Sequence, residues 1–153
     1  DVERRSKMAN KRLATALKVA LANEFVAGFA TQSAHWNIEG INFQELHALF
    51  GTVYTDLVAD IDVVAEHIRV IDEFAPTSIG ELLKASTVKD LMNVGNARNM
   101  VSNVYDAVEQ VKEAFDAAFK IAEELNDQGM MDYLAGRIDV LAKHCWMLRV
   151  SAR

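Results

Sequence analysis

Apolar residues in this chain recur at alternating steps of three and four along four long runs, and no other feature constrains the fold as strongly. That spacing puts them on one face of an α-helix. The first run spans about Lys7 to Ala34, with Leu13, Leu17 and Leu21 on its stripe and Ala16 and Ala20 beside it. The second spans about Phe43 to Asp72, with Leu46, Phe50, Val53, Leu57, Ile61, Val64 and Ile68. The third spans about Val88 to Leu125, with Val101, Val104, Val108, Val111, Phe115, Ala118 and Ala122. The fourth spans about Gly129 to Val150, with Leu134, Ile138, Leu141, Cys145 and Leu148. One proline and seven glycines among 153 residues leave these runs intact. Asn42 with Glu45, and Thr87 with Asp90, match capping boxes at two helix starts.

The connections set the topology. Glu39–Asn42, holding Gly40, and Asp127–Gly129 are tight. Glu73–Thr87 is long, holds Pro76 and Gly80, and includes a short helix over Ser78–Ala85 with Ile79, Leu82 and Leu83 on one face. Four helices with one long crossover imply an all-α, ferritin-like four-helix bundle. It is expected over residues 13–153, behind a basic segment at residues 1–12. Apolar residues at 51% and charged residues at 25% fit an ordinary globular domain. No apolar run of about 18 residues suggests a membrane span, and no leader pattern opens the chain. A lone Cys145 excludes an internal disulfide and suits a reducing cytoplasm. The net charge of −6 disfavours nucleic acid as the partner of the domain body and favours cations.

Four residues have the chemistry of a metal site. Asp62 and Glu66 are spaced i, i+4 on the second helix. His47, fifteen residues earlier, is rotated only about 60° from Asp62. Imidazole with carboxylate suits Fe(II), Mn(II) or Zn(II) better than Cu(I). Yet fifteen residues at about 1.5 Å each separate His47 from Asp62 by roughly 22 Å, so one continuous helix cannot offer both to one ion. A two-fold axis crossing the helix near Tyr54–Asp56 would bring His47 of one copy beside Asp62 and Glu66 of another, twice per dimer. His35, one tight turn before the second helix, can join His47 from its own chain. Taken singly, each residue also fits a packed or solvated role.

The run His35-Trp36-Asn37-Ile38-Glu39-Gly40, followed by Phe43, His47, Phe50, Tyr54, Asp62 and Glu66, resembles the signature of the Dps family, the mini-ferritins. Glu81-Leu82-Leu83 with Ser86, and Lys143-His144 with Trp146-Met147-Leu148, resemble its later motifs. The resemblance covers about residues 13 to 150. It implies a hollow homo-dodecamer built from two-fold dimers. Its ferroxidase sites would lie between subunits, with His35 and His47 from one chain and Asp62 and Glu66 from its partner. Fe(II) would be oxidised, preferably by hydrogen peroxide, and stored as Fe(III) mineral, protecting the cell from oxidative damage, with zinc as a competing ion. Trp36 and Tyr54 become candidate auxiliary electron donors. Asp127 and Asp132 match the acidic iron-entry pore. Asp56 and Asp60 could face the cavity and nucleate mineral, although solvated or interface roles fit equally.

The chain also departs from the family. The acidic residue usual four positions after the second histidine is Gly51 here, so a second iron position should be weakly filled. His67 replaces the usual Arg after Glu66 and reads as a neighbour of the site rather than a ligand. His144 and Cys145 read as structural. No Glu-x-x-His pair occurs, so an iron site of the single-chain ferritin kind is not expected. Arg4, Arg5, Lys7, Lys11 and Arg12 make residues 1–12 net positive, but non-specific DNA binding is not favoured in so acidic a chain. The rival function is a non-enzymatic, DNA-protecting shell with an impaired iron site.

Overall fold

The computed structural model describes residues 1–90 and 94–153. Among these there are five helices and no strand: α1 Val2–Asn37, α2 Phe43–Val70, α3 Ile79–Ala85, α4 Ala97–Glu124 and α5 Gln128–Ser151. The four long helices carry the expected stripes inward. Phe50, Phe115, Leu13, Leu17, Leu57, Ile68, Leu134, Leu141 and Leu148 are fully buried. Burying each such side chain stabilises the fold by roughly 1.5–3 kcal/mol. Helix α1 packs along α2, α4 and α3, and α4 packs along α5. By length and composition α1 could cross a membrane, but 61% of its apolar window is buried inside the bundle.

The helix starts differ from expectation in instructive ways. Helix α1 begins at Val2, because the Asp1 carboxylate accepts from Arg4 N–H at 2.8 Å. Residues 1–12 are therefore the first three turns of the bundle's longest helix. Asn42 precedes α2 as expected but makes no side-chain cap. Ser78 caps α3 through Glu81 N–H, and of its apolar face only Leu82 packs on the core. Helix α4 does not start at Val88. Thr87 N–H and Ser86 Oγ donate to Asn23 Oδ1, whose amide donates in turn to Thr87 Oγ1 and Gln110 O. Gly95 then takes φ +105, which no helix contains, and Asn96 caps α4. Residues 91–93 of the expected third helix lie outside the described residues. The α4–α5 turn is built on Asn126 at φ 55 rather than on Gly129, which is helical.

Candidate metal centre

His35 ends α1 and His47 sits in the second turn of α2, so the short link through Gly40 (φ +116) folds one against the other. Their rings stack at 3.7 Å between centroids, 13° from parallel. Each ring is locked to the other's backbone: His35 Nδ1 lies 2.6 Å from His47 O, and His47 Nδ1 lies 2.7 Å from His35 O. A carbonyl only accepts, so both Nδ1 atoms carry the proton. In the neutral rings this leaves the lone pair on Nε2, the tautomer a metal ligand requires. Gly51 makes room for this. A Cβ there would stand 3.2 Å from His35 Cε1 and 3.3 Å from His35 Nδ1. Phe43 stacks on His47, and Tyr54 leans on His35 at 5.2 Å.

Asp62 and Glu66 are exposed near the far end of α2. The Asp62 carboxyl beside it raises the Glu66 pKa, first through a hydrogen bond and then through repulsion, which His67 only partly offsets. Helix α2 runs unbroken from Phe43 to Val70, which keeps Asp62 roughly 22 Å and Glu66 roughly 28 Å from His47 along its axis. Within one chain the structure thus unites the histidines but not the carboxylates with them. Among the described residues, no three His, Cys, Asp or Glu side chains are arranged for a metal.

The other expected residues fall as follows. Trp36 is 57% exposed and meets Phe29 edge-on. Asp127 caps α5 by accepting from Met130 N–H, and Asp132 is exposed in the same helix. His67 stacks on Tyr133 at 3.9 Å. Two of the five N-terminal cations are paired, Lys7 with Glu3 and Arg12 with Glu124.

Asp56 and Asp60 do not face outward. They turn into the gap between α2 and α5, where the helices are joined by side chains rather than close backbone packing. Arg137 donates to Asp56 through Nη1 (2.9 Å) and Nη2 (3.1 Å), and Nη2 also donates to Glu24 (3.1 Å). Its Nε lies 3.1 Å from Asp60 Oδ2, off the line of a hydrogen bond. Tyr133 donates to Asp60 at 2.8 Å, and His144 Nε2 meets Asp56 at 2.9 Å. Burial, then the neighbouring Asp60, push the Glu24 pKa well above its usual range, against the opposing pull of Arg137. Burial alone would raise Asp56, but His144 and Arg137 pull it down to about 2.

Sequence reading missed this network, although a signal was present. Glu24 lies three residues after Leu21, Asp60 three after Leu57, and Arg137 three after Leu134, all at positions in register with the apolar stripes. A charge there is buried and must be paired. His144 and Cys145, expected to be structural, lie in the interior. Both are buried, and burial followed by Glu109 pushes the Cys145 thiol up to about 11.

Comparison with known proteins agrees with the fold. A family model described as "Ferritin-like domain" matches residues 14–151. The Vibrio cholerae Dps crystal structure is 31% identical, aligning 95% of this chain with 92% of its own at a TM-score of 0.89. A Bacillus brevis Dps structure is 27% identical, covers 95% and 98%, and also superposes at 0.89. The DNA protection during starvation protein of Porphyromonas gingivalis is 31% identical over 77% of this chain and 74% of its own. A helix bundle with this crossover, this histidine corner and these relatives leaves one assignment: the chain belongs to the Dps family of the ferritin-like superfamily.

Proposed function

We propose that the chain is an iron-storage and detoxification protein. It would oxidise Fe(II) with hydrogen peroxide at sites shared between two subunits of a cytoplasmic, dodecameric shell. The observation that carries this is the reciprocal His35–His47 lock, which leaves two Nε2 lone pairs ready while both acidic partners lie a helix length away. His35 and His47 of one copy would hold Fe(II) together with Asp62 and Glu66 of the next. Carboxylates favour the harder Fe(III) product. Peroxide accepts two electrons, and two Fe(II) supply them. Gly51 adds no second carboxylate, so the second iron would be held weakly. Tyr54, against His35, and Trp36 would then be placed to lend an electron. Zinc would compete for the same donors. Asp127 and Asp132 would guide cations at the pore. The kinship with a Vibrio cholerae Dps of the ferritin-like diiron-carboxylate superfamily and with a DNA protection during starvation protein supports iron and DNA-protection roles.

Mixing two defective chains tests the shared site. One carries His35→Ala and His47→Ala, the other Asp62→Ala and Glu66→Ala. Each alone should be inactive. Co-assembled in equal amounts, random pairing restores about a quarter of the sites, because each mixed dimer rebuilds one of two. Peroxide-dependent Fe(II) oxidation that stays absent after co-assembly would refute the shared site. Failure of the wild type to oxidise Fe(II) would favour the rival, a non-enzymatic DNA-protecting shell.

A further inference from the structure

With the second iron weakly held, peroxide that meets a single Fe(II) is one electron short. The carboxylate half of the site has a phenol placed to supply it. His67 follows Glu66 directly on α2, and its ring lies face to face with that of Tyr133 on α5, 3.9 Å between centroids and 11° from parallel. His67 Nδ1 donates to Val63 O at 2.8 Å, which ties the imidazole to its own helix. Phe115 meets the Tyr133 ring edge-on at 6.3 Å. The Tyr133 hydroxyl donates to Asp60 at 2.8 Å, and Asp60 is only 6% exposed. That distance falls within the roughly 2.6–3.2 Å over which a positioned carboxylate takes a proton. Arg137 is shared among Asp60, Asp56 and Glu24, so Asp60 has no cation to itself. A phenol gives up an electron most readily when its proton leaves with it, because no cationic radical then has to form.

We propose that Tyr133 is a one-electron donor to the iron site, acting through the stacked His67, with Asp60 receiving its proton. This rests on the shared-site reading above. When peroxide meets a single Fe(II), its O–O bond breaks with one electron from Fe(II) and one from the phenol. The phenol proton passes to Asp60, and two solvent protons complete two waters. Fe(III) and a phenoxyl radical remain. The next Fe(II) to arrive gives the phenoxyl an electron, and the proton returns from Asp60. Two Fe(II) are thus spent per peroxide and no hydroxyl radical is released, although only one iron is held tightly. Trp36 and Tyr54 stand on the histidine half of the site, and Tyr133 serves the other half.

The test is rapid-freeze EPR of the assembled protein, given one Fe(II) per site and an equivalent of peroxide, in a Trp36→Phe, Tyr54→Phe background. A phenoxyl signal should appear, with the lowered g-value of a hydrogen-bonded radical. Adding Tyr133→Phe, which keeps the ring on His67 and removes only the hydroxyl, should abolish that signal and raise the yield of spin-trapped hydroxyl radical. No phenoxyl in the background protein, a signal that survives Tyr133→Phe, or the g-value of an unbonded phenoxyl overturns the proposal. If the Tyr133→Phe chain does not assemble, the radical is trapped in the background protein and located by peptide mass spectrometry. A spin adduct on Tyr133 supports the proposal, and one found only elsewhere refutes it. Wild-type protein that fails to oxidise excess Fe(II) with peroxide refutes the shared site and this proposal together. Oxidation without a Tyr133 radical refutes this proposal alone.

Discussion

Helix α2 carries two pairs of carboxylates at the same i, i+4 spacing, and they meet opposite fates. Asp56 and Asp60 are paired with Arg137, His144 and Tyr133, while Asp62 and Glu66 are exposed, with His67 only partly offsetting their mutual repulsion. Six residues at 100° each turn the second pair about 120° from the first. One face points into the bundle and the other out of it. Identical local chemistry thus yields a closed, self-paired interior and an exposed acidic pair, and helix rotation alone makes the difference.

Breaking the open side should have the largest effect. Asp62→Ala with Glu66→Ala should lower peroxide-dependent Fe(II) oxidation on the order of 100-fold or more, beyond the 10–100-fold typical of residues that only support a ligand. Melting temperature should barely move, because both side chains are exposed. The interior should behave in reverse. Arg137→Ala strands three carboxylates and should cost about 3–5 kcal/mol in metal-free chemical denaturation.

Gly51→Ala sharpens the contrast within one residue. Its Cβ would crowd the His35 ring, so Co(II) affinity at the interface should fall roughly 10-fold in a titration. Stability should hold or rise by up to about 1 kcal/mol, because glycine is poor inside a helix. A parallel fall in both would mean that Gly51 serves packing rather than the histidine lock.

The interior pair should also set an acid limit. The Asp56 pKa is depressed to about 2, so its stabilisation is present above about 3.8 and is lost as pH falls through 2. Screening on its partly open side holds this to on the order of 1 kcal/mol. Asp56→Asn should flatten the dependence in acid denaturation curves. Glu24 has the opposite sign. Its pKa is raised, so its contribution is full at low pH and declines as pH rises through the folded value. Glu24→Gln, a neutral isostere, should therefore be the mildest change, within about 1 kcal/mol at neutral pH.

The four helices, their stripes and the crossover were legible because a 3.6-residue period over 24 or more residues admits little else. The start of α4 was not, because Thr87 is taken by Asn23, sixty-four residues away. That one chain cannot offer His47 and Asp62 to a single ion followed from helix rise alone. The inward turn of Asp56 and Asp60 was readable only against the stripe, since Asp60 falls three residues after Leu57 and four before Val64. The His35–His47 lock depends on backbone carbonyls brought together by a tight turn, which no residue pattern announces.

Asn23 and Glu24 bear on where His35 points. These adjacent buried polar residues face different ways, Asn23 toward the crossover and α4, Glu24 toward Arg137 on α5. Turning α1 by a single residue step would bury the wrong side chain on both sides, so the turn acts as an angular stop for the whole helix. His35 stands eleven residues on, three turns later and within about 20° of the direction of Glu24. A helix carries rotation along its length, so the azimuth of the histidine is fixed roughly 16 Å away by two amino acids that never touch it.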